Sequence, residues 1–197
     1  MADEKRHEVP AEEEKLSGAD AFKVDLYFWL QALAAVVVGL ILVFTFVGRI
    51  IGVVGSSMVP TLHNGDMLIL QSIGYEPRQG DVVVLTKEFG SVEGPIVKRV
   101  IATGGQTVEV DYAAGVVRVD GQVLPEPYRN GPMERPRDPY RTIEAVTVPE
   151  GSLFVLGDNR NESGDSRDWR LGTIDERYVM GQVVWVLAPP GRFGAVG

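Results

Sequence analysis

A single uncharged segment constrains this chain more than any other feature of its sequence. Between Asp25 and Arg49 lie 23 consecutive residues without a charged side chain, LYFWLQALAAVVVGLILVFTFVG. As a helix this segment is roughly 34 Å long, and the hydrocarbon core of a bilayer is about 30 Å thick. The aromatic residues 27–29 at its start suit a membrane interface. The sequence therefore predicts a transmembrane helix over residues 26–48, followed by a domain over residues 49–197.

A cleavable signal peptide and a buried helix of a soluble protein are the alternatives to a retained anchor. A signal peptide has a basic start, a shorter apolar run and a small-residue cleavage site. Here, 25 residues rich in acidic side chains precede a longer run, and VGRIIGV follows it. A helix that packs on the core of a soluble protein is usually apolar on one side only, whereas this segment is apolar on every face. We therefore expect a retained anchor.

The flanking charges predict the orientation of that anchor. Residues 1–25 are charged and carry few large apolar side chains, so we expect a disordered tail. Lys15 and Lys23 lie close to the start of the span, whereas Arg49 stands alone after it until Arg78. Because basic residues favour the cytoplasmic side, this bias predicts a cytoplasmic N-terminus, a single pass through the cell membrane and an extracytoplasmic C-terminal domain.

After the span the sequence changes to short apolar runs separated by glycine and aspartate, a pattern typical of strands. These runs cover 66–70, 81–85, 95–102, 107–110, 116–119, 152–156 and 181–188. Asp120-Gly121 occupies a hairpin turn in VDGQVL, and residues 128–141 have the composition of a surface loop. No long helical period follows residue 50. The sequence predicts an all-β domain of coiled antiparallel sheets behind one N-terminal transmembrane helix.

Composition excludes several classes of function. The chain has no cysteine, which rules out disulfides and cysteine-ligated metals, and we expect neither a metal nor another cofactor. From residue 49 onward, 15 lysines and arginines face 19 acidic residues. That balance gives no basic surface for nucleic acid, so we expect no nucleic-acid partner.

Two adjacent serines, Ser56 and Ser57, follow the span in SSMVPTL, and a serine needs a base before it becomes a good nucleophile. Histidine is the usual base, but the chain has only His7, in the tail, and His63, in the turn-like LHNGD. The most informative basic residue is instead Lys98, one of only two lysines after the span.

Lys98 lies in the apolar run PIVKRVIA, where strand alternation puts it on one face with Ile96 and Val100. A lysine on an apolar face is costly unless it is neutral, paired or extended to water. Burial can lower its pKa from about 10.4 by roughly 3 units, which leaves an amine able to accept a proton near neutral pH. The alternative is that Lys98 bends to water at the sheet edge.

Four blocks behind the span resemble those of the bacterial type I signal peptidases, in their compact Gram-positive-like form. The blocks are SSMVPTL (56–62), GDVVVL (80–85), VKRVIATGGQ (97–106) and GDNRNESGDSR (157–167), and the resemblance covers residues 26 to about 187. These peptidases are membrane-anchored Ser/Lys endopeptidases. The resemblance implies removal of signal peptides from exported preproteins after Ala-x-Ala-like sites, at the lipid bilayer.

The resemblance also implies a role for several residues of this chain. Ser57 matches the nucleophile and Lys98 the general base. Ser163 matches the serine that orients the lysine, and Asp165 and Arg167 match the pair that holds their block against the site. Without the other blocks, GDNRNESGDSR would read as a polar turn.

The oxyanion site and the substrate pockets are less constrained. Some relatives carry a serine two positions before the nucleophile, whereas this chain has Gly55, so we expect the Ser57 backbone N–H to be the main oxyanion donor. The resemblance places near the pockets a set of apolar residues that could equally be core residues: Val53, Met58, Leu62, Leu68, Val84 and Val97.

Two further hypotheses compete with this one. A self-cleaving Ser/Lys repressor is disfavoured by the span and the acidic tail. A catalytically silent relative would be an anchored β-module that binds exported chains or other proteins. Retention of the serine, the lysine and the orienting serine speaks against that loss of activity.

Overall fold

The computed structural model describes residues 18–46, 49–87, 94–136 and 142–196, with side chains in the helix for residues 22–41. The chain divides into two units: the first, Met1–Leu42, contains most of helix α1 (Gly18–Phe46), and the second, Val43–Gly197, contains the end of that helix and all the described strands. The helix begins eight residues before the predicted span, because the residues after Gly18 include good helix formers such as alanine and lysine. Of the expected disordered tail, residues 1–17 lie outside the described residues.

Helix α1 carries the apolar segment predicted from the sequence. Within it, the 20 residues Phe22–Ile41 have a mean hydropathy of 2.0, and their side chains are all exposed. By length and composition this segment is able to cross a membrane.

After the helix, the described residues form twelve strands in two antiparallel sheets, with short 3₁₀ turns between some of them, which confirms the all-β prediction. The larger sheet has the order β1-β2-β11-β3-β4-β9-β10, with β12 paired to β11, and the smaller has the order β7-β6-β5-β8. The strands are β1 (Arg49–Gly52), β2 (Met67–Gln71), β3 (Val82–Leu85), β4 (Ile96–Thr103), β5 (Thr107–Asp111), β6 (Val116–Val119), β7 (Gln122–Val123), β8 (Ala145–Thr147), β9 (Ser152–Leu156), β10 (Ile174–Asp175), β11 (Val179–Ala188) and β12 (Gly194–Ala195). Register shifts within β4 and β11 mark bulges, which bend a strand and increase its twist.

All seven predicted strands form, with ends within two residues of the predicted ones. Asp120 and Gly121 both have positive φ (52° and 77°), which is the geometry of the expected two-residue hairpin turn between β6 and β7. The expected surface loop is irregular over residues 128–136, but Met133 within it is buried in the core, and residues 137–141 lie outside the described residues.

Strand β3 is buried on both faces of the larger sheet. All four of its residues are buried, and they alternate between two clusters: Val82 and Val84 pack with Met58 and Leu62, whereas Val83 and Leu85 pack with residues of β4 and β9. A strand buried on both faces has a continuous apolar sequence, as VVVL does. Its partner β4 therefore lies deep in the sheet.

Candidate active site

Ser57 lies in the segment 53–66, which connects β1 to β2 and is called here the serine segment. Its neighbour Met58 is buried in the core and fixes the chain on the inner side. On the outer side, the Gly55 N–H donates to Asn64 Oδ1 (3.0 Å), and the φ of Gly55 is +104°. Because side chains strain that conformation, glycine suits this position better than the serine found in some relatives.

The structure brings Lys98 directly to Ser57. Lys98 lies on β4 and is only 3% exposed, and its Nζ lies 2.8 Å from Ser57 Oγ. Nζ also donates a hydrogen bond of 2.9 Å to the Val97 carbonyl oxygen. Ile96 and Val100 belong to one core cluster and Val97 packs against another, which is the alternation expected from the sequence.

The surroundings of Lys98 make its amine easier to deprotonate than that of an exposed lysine. Burial is the largest influence and lowers the pKa of the Lys98 amine below its usual value. The carboxylates of Asp165 and Asp158 act in the opposite direction, and the Arg167 guanidinium adds to the lowering. The result is a buried amine, in contact with a serine hydroxyl, that is easier to deprotonate than an exposed lysine.

Asp165 and Arg167 form a buried, two-pronged ion pair. Arg167 Nε donates to Asp165 Oδ1 (2.8 Å) and Arg167 Nη2 to Asp165 Oδ2 (2.9 Å). The pair also binds its own block, because the Gly157 N–H donates to Asp165 (3.1 Å) and Arg167 donates to the Arg160 carbonyl (2.5 Å). Burial by itself raises the pKa of the Asp165 carboxyl. Arg167 and the hydrogen bonds lower that pKa by more than burial raises it, so the pKa of Asp165 lies below its usual range.

Ser163 is close to the site, but its predicted contact with Lys98 does not appear. Its hydroxyl oxygen is buried, and the Ser163 side chain contributes to lowering the pKa of Asp165. However, Ser163 Oγ makes no hydrogen bond of ordinary geometry within the described part of the chain. Gly157 packs between Ser163 and Ser57. A Cβ at Gly157 would lie 2.6 Å from Ser163 Cβ and 2.5 Å from the Ser57 carbonyl oxygen, so no side chain fits there. The orienting role of Ser163 stays a prediction.

A second buried network, which the sequence analysis missed, ties the serine segment to β4. Arg99, next to Lys98, donates to both carboxylate oxygens of Asp158 (2.9 and 2.8 Å), and Thr61 Oγ1 donates to the same carboxylate. The following residue, Asn159, donates its N–H to the Ser57 carbonyl (3.0 Å). Asp158 therefore joins the serine segment, strand β4 and the block 157–167. Its place in the GDNRNESGDSR block was the only sequence signal for this role.

Arg192, near the end of the described chain, fastens the other end of the serine segment. Its Nε donates to Asp66 Oδ1 (2.9 Å), and its Nη2 donates to Asp66 Oδ2 (3.0 Å) and to the Thr61 carbonyl (3.0 Å). Asp66 is buried and also accepts the His63 N–H (2.8 Å). Nothing in the sequence indicated this contact, because Arg192 lies outside all four motif blocks.

Ser57 and Lys98 line a groove of about 510 Å³. Its walls are residues 51–58, residues 95–98, Glu162 and Gly164. Three of the predicted pocket residues, Val53, Met58 and Val97, belong to these walls.

The other three predicted pocket residues do not line the groove. Leu62, Leu68 and Val84 are fully buried in the core cluster that contains Met58. The structure corrects this part of the prediction. The apolar side chains of the serine segment, β2 and β3 that point inward are needed to fill the core, and only those at the edges of the groove remain near its surface.

Two expectations about bound groups can be compared with this geometry. The Ser57 N–H donates no hydrogen bond within the described part of the chain, and it stays the predicted oxyanion donor. The same part of the chain contains no group of three or more histidine, cysteine, aspartate or glutamate side chains placed to hold a metal ion.

A serine hydroxyl in contact with a buried amine, beside a groove on an antiparallel β domain, is an arrangement that suits the class of serine hydrolases. Comparison with known families is more specific. The family model described as signal peptidase, peptidase S26, matches residues 26–188. The chain belongs to this family.

Individual relatives agree with that assignment. The chain is 38% identical to the probable signal peptidase I-1 of Synechocystis over 174 residues, which cover 84% of this chain and 83% of that protein. It is 33% identical to signal peptidase I of Bacillus licheniformis over 174 residues, or 85% of this chain and 91% of that one. A crystal structure of a signal peptidase I from Enterococcus faecalis is 28% identical, with a TM-score of 0.42 over 56% of this chain and 98% of that chain.

Proposed function

We propose that this chain is a type I signal peptidase that cuts exported preproteins after Ala-x-Ala-like sites, using Ser57 as nucleophile and Lys98 as general base. The observation that carries the chemistry is the 2.8 Å contact between Lys98 Nζ and Ser57 Oγ at a buried site. Family membership and the relatives named signal peptidase I support the choice of substrate.

In the acylation half of the reaction, neutral Lys98 accepts the Ser57 hydroxyl proton as Oγ attacks the carbonyl carbon of the scissile peptide bond. The carbonyl oxygen becomes an oxyanion, for which the Ser57 N–H is the proposed donor. The ammonium form of Lys98 then protonates the departing amine of the mature protein. The C–N bond breaks, and the signal peptide remains joined to Ser57 Oγ as an ester.

In the deacylation half, Lys98 is neutral again and takes a proton from a water molecule that attacks the ester carbonyl. Collapse of the second tetrahedral intermediate breaks the bond to Ser57 Oγ and releases the new carboxyl group. Lys98 returns its proton to Ser57 Oγ, so one amine serves as base and acid in turn. Ser163 supports this cycle by its buried hydroxyl beside the ion pair of Asp165 and Arg167.

The groove suits an extended peptide with small side chains at the cleavage site. Val53, Met58 and Val97 present apolar surface on its walls, and only limited depth is left because the core behind them is filled. A peptide strand can add beside β1, whose open edge continues into the groove wall at residues 51–52. Bulky residues at the positions that point into the wall are therefore expected to be rejected.

We also propose that residues 1–25 form a cytoplasmic tail, residues 26–48 cross the cell membrane once and residues 49–197 form an extracytoplasmic peptidase domain. The apolar segment Phe22–Ile41 supports the span, and the lysines that precede it support the orientation. A domain anchored in this way lies at the same surface as the end of an inserted signal peptide.

The test is cleavage of an Ala-x-Ala peptide, followed by mass spectrometry of both products, with the purified full-length chain in detergent. Ser57→Ala and Lys98→Ala should each abolish cleavage at the Ala-x-Ala site while thermal unfolding stays cooperative. Ser56→Ala and Lys87→Ala are the matched controls, because Ser56 lies next to Ser57 and Lys87 is the other lysine after the span. Neither side chain takes part in the proposed mechanism, so both variants should retain activity. Near-normal cleavage by Lys98→Ala would refute the mechanism, and no cleavage by the unmodified chain would favour the catalytically silent relative.

A further inference from the structure

One acidic side chain lies in the groove wall without a role in the proposed mechanism. Glu162 ends a short 3₁₀ turn (Arg160–Glu162) in the same block as Ser163, and its side chain is exposed. The turn is held by a backbone hydrogen bond from the Glu162 N–H to the Asn159 carbonyl (3.1 Å), which does not use the Glu162 side chain. Glu162 is therefore placed in the groove wall by backbone contacts that do not involve its side chain.

Within the described part of the chain, no lysine or arginine forms an ion pair with Glu162. The neighbouring Arg160 binds Glu126 and the Gly157 carbonyl instead. Among the described residues that line the groove, the only other ionisable side chain is Lys98, which is buried. Glu162 is therefore the one acidic side chain in the described walls of the groove.

We propose that Glu162 is a specificity-determining residue, which makes the groove favour a peptide with a basic side chain, and disfavour an acidic one, at the substrate position next to it. This inference rests on the proposed peptidase function. The remaining walls are apolar or small, so they can select for size but not for charge. An exposed carboxylate facing an exposed ammonium gives a modest attraction, and two like charges give a repulsion of similar size, both of which salt weakens.

The experiment is a set of Ala-x-Ala peptides that differ at one position only, with lysine, glutamine or glutamate placed in turn at each position near the cleavage site that does not require a small residue. For the unmodified chain, kcat/KM at one such position should be about two- to ten-fold higher with lysine than with glutamate. Glu162→Gln should bring that ratio close to one, and Glu162→Arg should invert it. Raising the salt to about 0.5 M should shrink the ratio for the unmodified chain.

Glu109→Gln is the matched control, because Glu109 is an exposed glutamate of β5 that does not line the groove. It removes the same charge from the chain and should leave the lysine-to-glutamate ratio unchanged. If Glu162→Gln cuts the uncharged peptide normally and keeps the unmodified ratio at every position, the inference is wrong, whereas the peptidase function stands. If the unmodified chain cuts no peptide in the set, the proposed function fails as well.

Discussion

Substitution of Gly157 by alanine tests how closely the block 157–167 positions Ser57, the proposed nucleophile. A Cβ at this residue would lie 2.5 Å from the Ser57 carbonyl oxygen, whereas such contacts essentially never fall below 3.0 Å and are ordinary only beyond 3.4 Å. Either Ser57 or Gly157 must therefore move by about 0.5 to 0.9 Å, as the difference between these distances requires. Gly157 itself is held on both sides, by its N–H to Asp165 and by its carbonyl, which accepts from Arg160.

Because Gly157 is held, we expect most of the displacement to fall on Ser57. A misplacement of reacting groups of the order of 1 Å can cost about 100-fold in rate, so kcat for Gly157→Ala should fall between about ten- and 100-fold. Overpacking should also destabilise the fold by roughly 1–3 kcal/mol. The assay is kcat and KM on an Ala-x-Ala peptide, together with thermal unfolding. Gly191→Ala is the control, since a Cβ there meets no atom within 4 Å.

A second variant separates the two contacts that the new methyl group would make. Ser163→Gly removes the Ser163 side chain that Gly157→Ala would also strike, but it leaves the clash with Ser57. Added to Ser163→Gly, the Gly157→Ala change should still lower kcat at least about ten-fold. If it costs nothing there, or if Gly157→Ala alone keeps kcat within two-fold, the displacement of Ser57 is refuted.

Three other predictions follow from the buried charges. Asp158→Asn removes a charge that raises the pKa of Lys98, so it should move the acidic limb of the kcat/KM profile to lower pH. Arg167→Gln removes a charge that lowers this pKa, so it should move the same limb to higher pH. Shifts of both variants in the same direction would contradict this account. Asp165→Asn should cost roughly 3–5 kcal/mol in chemical denaturation, since it leaves the charge of Arg167 buried and unpaired, and a loss below about 1 kcal/mol would argue against it. Arg192→Ala should lower kcat several-fold with little change in KM, because Arg192 holds the serine segment through Asp66 and the Thr61 carbonyl. Millimolar methylguanidinium should restore part of the lost kcat, whereas sodium chloride at the same concentration should not. No restoration would mean that the arginine acts only on overall stability.

The fold was largely predictable because its strongest determinant is local. Runs such as VVVL and PIVKRVIA predict buried strands by their own composition, and β3 and β4 lie where these runs predict them. Strands β1, β8, β10 and β12 were missed, since RIIG continues the apolar texture of the span and the other three strands are only two or three residues long. The depth of each residue was less predictable, because Leu62 in a turn and Val84 in a strand are both core residues only through neighbours distant in sequence.

The contact between Ser57 and Lys98 was predictable only because a resemblance added what the residues alone left open. Alternation placed Lys98 on an apolar face but did not say whether its amine turns inward or bends to water. The contacts of Arg99 and Arg192 were not predictable from the sequence, since both arginines bind carboxylates that are far from them in sequence. No local pattern distinguishes such an arginine from the exposed Arg177, which pairs with a residue two positions away.

Arg99 and Arg167 give a physical reason for the proposal that a lysine is the base at this site. Asp158 and Asp165 are the two carboxylates that raise the pKa of Lys98, and either could hold it as a charged, inactive ammonium. Each is instead bound through both oxygens by an arginine, Asp158 by Arg99 and Asp165 by Arg167. Guanidinium stays charged at any working pH and matches a carboxylate with two parallel hydrogen bonds, so an amine competes poorly for the same oxygens. Burial can then dominate the pKa of Lys98, and Ser57 is left as its side-chain partner.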